Sequence, residues 1–117
     1  MADFAITIVR TPVSRAEAIA WADKGFGDMV KAVVDVERRI MAVGAELHSD
    51  EEAALLEDGS RQVDVWGINL YPNEAEDWIE YDSMINVRPG QENRSRGVES
   101  AERRAAIQRI VEELVRP

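Results

Sequence analysis

Four residues of this 117-residue chain combine a side chain suited to metal or acid–base chemistry with a place in a strand-like pattern: Glu46, His48, Glu80 and Asp82. Each lies in a segment where apolar and polar residues alternate, and alternate side chains of a strand share one face of a sheet. Same-face side chains on neighbouring strands lie about 5 Å apart. The pattern predicts that the four converge and bind a divalent metal ion. His48, the only histidine, and Asp82 are the predicted catalytic residues, with His48 as general base or metal ligand.

A second polar group lies in the segment 88–97, immediately before the last predicted helix. Guanidinium groups and the free amides of a helix N-terminus are good ligands for an anion such as phosphate. The segment carries no Walker lysine, GxGxxG, HExxH or CxxC motif. The predicted ligand-binding residues are Arg88, Asn93, Arg94 and Arg96, together with Asn69 and Asn86 from the alternating face.

Both groups also have an ordinary structural explanation. An antiparallel sheet normally leaves one face in water, and acids on that face need no function. In a chain with 23 acidic and 14 basic residues, the arginines can simply form surface ion pairs. The residues fit a binding site or a solvated surface, and the two alternatives stay open at this stage.

The first half of the chain predicts a strand, a helix and a hairpin. The strand covers Phe4–Val9, and Ser14 with Glu17 then forms a capping box for a helix that ends at Gly25. The segment 29–47 is predicted as a hairpin of two strands, 31–37 and 40–48, because four valines lie within residues 30–36. An Arg-Arg turn is unusual, so one long helix is the competing interpretation.

The second half predicts a short helix, two strands and a final helix. Ser49 and Glu52 indicate a helix of about two turns that ends at Gly59, although Asp-Gly at 58–59 is also a hairpin signal. Val63–Tyr71 and Trp78–Val87 are the predicted strands, followed by an irregular loop over 88–97. Ser100 caps the last helix, whose apolar stripe consists of Ile107, Ile110, Val111 and Leu114.

This order of elements predicts a single α+β domain over residues 1–117. We expect a mainly antiparallel sheet of four or five strands, with helices packed on one face. A chain of this length can bury one hydrophobic core. The three tryptophans are expected in the core or at the sheet edge.

The composition restricts the class of partner. A net charge of −9 argues against nucleic acid, whose binding depends on Lys and Arg. The absence of cysteine excludes disulfides, thiolate metal sites and a cysteine nucleophile. The first residues lack the apolar run of a signal peptide, and no stretch approaches the roughly 20 apolar residues of a membrane span. We therefore expect a cytoplasmic protein without membrane attachment.

Four strings of the sequence resemble one family: FGDMVKAVVDVERRIMAVGAELHSDEE, LEDGSRQVDVWGINLYP, IEYDSMINVRP and QENRSRGVES. The family consists of short uncharacterised prokaryotic proteins and is known as a domain of unknown function. The resemblance covers about residues 4–115. It implies no activity, cofactor or catalytic residue for this chain.

Two functions follow from the residues themselves. The first is binding of a small anionic, phosphate-bearing ligand, which a divalent metal would extend to phosphoester chemistry with Arg88 or Arg94 stabilising charge. The second is a non-catalytic module whose acidic surface binds a basic protein partner, or whose sheet edge forms a homodimer. The sequence does not decide whether the protein is an enzyme.

Overall fold

The apolar runs of the chain form one five-stranded antiparallel sheet in the computed structural model, which describes residues 2–117. The order of the strands is β1-β4-β3-β5-β6, and two short strands, β2 and β7, form a separate parallel pair. In chain order the elements are β1 (Thr7–Val9), β2 (Val13–Ser14), α1 (Arg15–Lys24), β3 (Val30–Asp35), β4 (Ile40–Val43), α2 (His48–Glu57), β5 (Val65–Leu70), β6 (Ile79–Glu80), α3 (Ala101–Leu114) and β7 (Val115–Arg116). The predicted α+β class is confirmed.

Helices cover both faces of the sheet. Helices α1 and α3 pack on one face, where Ala18 and Ile107 belong to the same core cluster as Trp66. Helix α2 packs on the other face, where Leu55 contacts a smaller cluster that contains Val33 and Ala42. This position of α2 differs from the predicted arrangement with helices on one face. The physical reason is that the central strands carry buried apolar side chains on both faces, and both need cover.

The hairpin β3–β4 is confirmed, and its Arg-Arg turn has a structural explanation. Asp35 Oδ1 accepts hydrogen bonds of 2.9 Å from the backbone N–H groups of Glu37 and Arg38, which fixes the start of the turn. Arg39 takes up a left-handed backbone conformation with φ of 59°. The side chain of Asp35 thereby supplies the turn geometry that the Arg-Arg sequence does not predict.

The left-handed residue of this turn provides a first test. Arg39→Gly and Arg39→Val both remove the side-chain ion pair with Glu113, so the difference between the two variants reports the backbone. We expect the valine variant to be less stable by about 1–2 kcal/mol, because a β-branched residue fits the left-handed region poorly. Urea denaturation of the two variants measures this difference. Equal stabilities would contradict the assigned turn conformation.

Local capping signals account for the ends of two helices. The side chain of Ser14 accepts from the N–H of Glu17, and Ser100 accepts from the N–H of Arg103, both at 3.2 Å. Gly25 caps the C-terminus of α1 as predicted.

Among the residues that the structure describes, no helix has both the length and the apolar character needed to cross a membrane.

The segment predicted as a strand over Trp78–Val87 is a strand only at Ile79–Glu80, and a short 3-10 helix covers Met84–Asn86. The Asn86 side chain replaces the missing strand partner. Its Oδ1 accepts from Gly67 N–H at 2.8 Å and its Nδ2 donates to Gly67 C=O at 2.9 Å. One side chain thus satisfies both backbone groups of a residue in β5, so the chain can leave the sheet without unpaired buried groups.

Candidate functional site

A cavity of about 400 Å³ lies between the sheet and the first turn of α2. Its apolar rim includes Leu47 and Met84, which are 53% and 66% exposed. The charged and amide-bearing side chains that line it, with the histidine, are Lys31, His48, Asn69, Glu80, Asp82 and Arg96. The cavity therefore combines an apolar entrance with a strongly polar wall.

Three of the polar residues form a row across the sheet. Lys31 is the register partner of Asn69 in β5, and Asn69 is the register partner of Glu80 in β6. Register partners point to the same face, so this row lies on the face that α2 partly covers. Since neighbouring strands are about 4.8 Å apart, the backbones of Lys31 and Glu80 are separated by roughly 10 Å.

His48 is the first residue of α2 and is only 8% exposed. Its Nε2 lies 2.8 Å from the carbonyl oxygen of Ile68, and because a carbonyl only accepts, Nε2 carries the hydrogen. Burial, together with the nearby charge of Lys31, lowers the pKa of His48 below its ordinary value, against the opposing effects of the Ile68 carbonyl, Asp82 and Asn69. The ring is therefore neutral at pH 7, and Nδ1 is left as a hydrogen-bond acceptor.

Asn69 is 6% exposed and has one unused polar atom. Its Nδ2 donates to Glu80 Oε1 at 2.8 Å and to the carbonyl oxygen of Asp82 at 3.3 Å. Within residues 2–117, its buried Oδ1 has no hydrogen-bond partner. An unpaired buried amide oxygen costs about 1–3 kcal/mol, so it is a candidate acceptor for a ligand.

The charges of the cavity are only partly paired. Asp82 Oδ1 lies 2.7 Å from Arg96 Nε and forms an ion pair with it. None of the ion pairs within residues 2–117 includes Lys31 or Glu80. The Lys31 ammonium group lies 5.4 Å from the centre of the Phe26 ring, and Lys31 is half-buried. The cavity thus contains one cation and one anion without an oppositely charged partner.

The start of α2 adds hydrogen-bond donors to the cavity. The predicted cap at Ser49 is shifted, because Leu47 is the N-cap and supplies no side-chain hydrogen bond. Leu47, His48 and Ser49 all line the cavity. Backbone N–H groups in the uncapped first turn of a helix carry partial positive charge and favour an anion.

The structure brings five of the predicted site residues to this cavity: His48, Asn69, Glu80, Asp82 and Arg96. Glu46 does not join them, since it lines a shallow groove beside Asp50 and Glu57. Across residues 2–117, no three His, Cys, Asp or Glu side chains are placed to hold a metal ion together. The predicted metal set of Glu46, His48, Glu80 and Asp82 is therefore not assembled, because Glu46 follows the end of β4 instead of extending that strand.

Arg88 and its neighbours make hydrogen bonds that hold the loop in place. Arg88 donates to the carbonyl oxygens of Val65 (2.6 Å) and Ile85 (2.9 Å), and it packs over the Trp66 ring at 4.5 Å. Its guanidinium also forms an ion pair of 3.2 Å with Glu52. These contacts use the Arg88 side chain to hold the loop against the sheet.

The two predicted asparagines of this region are likewise buried and structural. Asn93 donates to the carbonyl oxygens of Asn86 (2.7 Å) and Gly97 (2.8 Å), and it accepts from the N–H of Glu99 at 2.8 Å. Asn86 is used by the backbone of Gly67, as described above. Arg94 is exposed, and its backbone N–H donates to Glu99 Oε2 at 2.7 Å. Only Arg96 of the predicted anion-binding loop reaches the cavity.

Sequence reasoning missed Lys31 and Glu51. A single lysine within the valine-rich strand β3 is a usable signal for Lys31, because a charge inside an apolar strand needs a reason. Glu51 is fully buried one turn after His48, and its Oε2 accepts from the N–H of Ala45 at 3.0 Å. Burial raises the pKa of Glu51 to about 9, so this carboxyl group is protonated at neutral pH.

The fold and the cavity define a small α+β protein with a mixed-charge cavity between its sheet and one helix. Residues 7–114 match the model of the family described as a protein of unknown function, DUF5674, and the chain belongs to this family. Comparisons with curated proteins and with solved structures found no match. The family resemblance expected from the four sequence strings is confirmed.

Proposed function

We propose that the protein binds a small anionic, phosphate-bearing molecule in the cavity between Lys31 and the first turn of α2. The observation that carries the proposal is Lys31, a half-buried lysine that lines the cavity without an oppositely charged partner among residues 2–117. Holding an unpaired charge partly out of water costs free energy. A bound anion would compensate this charge.

The uncapped start of α2 supports the same ligand chemistry. Lys31 is close enough to α2 for its charge to add to the lowering of the His48 pKa and to oppose the rise of the Glu51 pKa. A phosphate group carries acceptor oxygens on several sides, so it can accept from the N–H groups of the first turn and from an ammonium group together. Leu47, His48 and Ser49 at the start of α2 line the same cavity as Lys31.

The test compares the two lysines of the chain, Lys31 and Lys24. Lys24 is exposed at the end of α1 and does not line the cavity. We expect inorganic phosphate, measured by isothermal titration calorimetry, to bind at least tenfold more weakly to Lys31→Gln than to the wild type. Lys24→Gln should bind phosphate as the wild type does.

Melting curves provide the second measurement. Phosphate at about 100 times its dissociation constant should stabilise the wild type by about 2.7 kcal/mol. Without phosphate, the stability of Lys31→Gln should lie within about 1 kcal/mol of the wild type, because the substitution removes both an unpaired charge and the contact of the ammonium group with the Phe26 ring. If phosphate binds neither protein, or binds Lys31→Gln as tightly as the wild type, the proposed function is wrong.

A further inference from the structure

We infer that the ligand of this cavity carries an ammonium group beside its anionic group, and is therefore a small zwitterion such as a phosphorylated amine. The inference rests on the proposed function and names the class of molecule that the same cavity selects. It depends on the polar groups at the Glu80 end of the cavity, which the phosphate would not contact.

The first support is an excess of hydrogen-bond acceptors in the wall of the cavity between the first turn of α2 and Glu80. Asn69 Oδ1 is buried and without a donor, and the amide nitrogen of the same side chain is already used by Glu80 and Asp82. His48 donates through Nε2 to Ile68, so its neutral ring offers only the Nδ1 lone pair. A ligand that brings hydrogen-bond donors to this part of the wall would satisfy these acceptors.

The second support is the negative charge of Glu80, which favours a positively charged ammonium group on the ligand over a neutral hydroxyl group. Glu80 Oε1 lies 2.8 Å from Asn69 Nδ2, so the carboxylate contacts the same amide group whose oxygen is unused. No cationic side chain pairs with Glu80 in the described part of the chain, whereas the neighbouring Asp82 is already paired with Arg96. An ammonium group has three N–H donors and the complementary charge.

The third support is the order of the charges along the row. Lys31, Asn69 and Glu80 lie on three adjacent strands, with the cation and the anion separated by the amide. Lys31 and Glu80 do not form an ion pair with each other within residues 2–117, and their backbones are roughly 10 Å apart, so a small molecule can lie between the two charges. A zwitterion with its anionic group at Lys31 and its ammonium group at Glu80 matches this order.

The experiment uses three probes with the full chain: inorganic phosphate, ethyl phosphate and O-phosphoethanolamine. The last two differ in the ammonium group. We expect calorimetry to show O-phosphoethanolamine binding to the wild type at least tenfold more tightly than ethyl phosphate. Glu80→Gln should reduce this ratio to about one and leave the affinity for inorganic phosphate unchanged.

Glu80→Gln is a mild change, because glutamine still has an oxygen to accept from Asn69 and from the Tyr71 hydroxyl group. Glu76→Gln, an exposed position in the loop before β6, is the matched control and should keep the wild-type ratio. Equal affinities of the wild type for ethyl phosphate and O-phosphoethanolamine would overturn the inference and leave the proposed function intact. A tenfold ratio that persists in Glu80→Gln would overturn it too. If none of the three probes binds, both the proposed function and this inference are wrong.

Discussion

Replacing Asn86 by alanine is expected to destabilise the protein by about 3–5 kcal/mol, because it leaves several buried backbone groups without partners. The N–H and C=O groups of Gly67 and the C=O group of Arg96 all lose their hydrogen bond to the Asn86 side chain. Gly67 is buried in β5, so its N–H and C=O groups would lose their partners away from bulk water. Thermal melting should show a drop of about 10–20 °C.

Asn73→Ala is the control for this effect. Asn73 is exposed in the loop after β5, so its substitution should change the melting temperature by less than about 2 °C. Asn86→Asp separates the two hydrogen bonds to Gly67, because a carboxylate still accepts from the N–H group but cannot donate to the C=O group. A melting temperature of Asn86→Ala close to that of the wild type would show that Asn86 does not replace a strand partner.

The pH dependence of stability is expected to be dominated by Glu51. Its pKa is raised from 4.5 to about 9 by burial, so the folded protein holds a proton that the unfolded chain releases above pH 4.5. The stability that this proton contributes is complete below pH 4.5 and is lost as the pH rises to about 9. The free energy of unfolding should fall by on the order of 1 kcal/mol per pH unit in this window.

Glu51→Gln removes the titration and keeps the shape of the side chain. We expect the variant and the wild type to have similar stability at pH 5, and the variant to be more stable by several kcal/mol at pH 9. Glu57→Gln lies on the exposed side of the same helix and should follow the wild-type pH dependence. Urea denaturation at pH 5, 7 and 9 measures all three proteins. A constant difference between Glu51→Gln and the wild type would show that Glu51 is ionised in the folded protein at neutral pH.

Features that depend on neighbours in the chain could be predicted from the sequence. The caps at Ser14 and Ser100 bond to N–H groups three residues away, and the stripe of α3 follows from helical spacing. The valines of β3 likewise favour a strand through their own side-chain shape. Strand alternation even placed Asn69 and Glu80 correctly on one face, because both lie in real strands. The α+β class followed from these local signals.

Features that depend on distant partners were decided by the tertiary structure alone. The last predicted strand stops at Glu80 because Asn86 finds its hydrogen-bond partners at Gly67, 19 residues earlier. Arg88, which has the chemistry of an anion ligand, is occupied by carbonyl groups 23 and 26 residues away. The sequence therefore determined the types of polar group that this protein carries and the local structure around them. The tertiary contacts decided which groups are already paired and which, like Lys31 and the Asn69 oxygen, have no partner within residues 2–117. The reason is that a buried polar group takes the partner that folding brings to it, and that partner is set by strand register and packing across the chain.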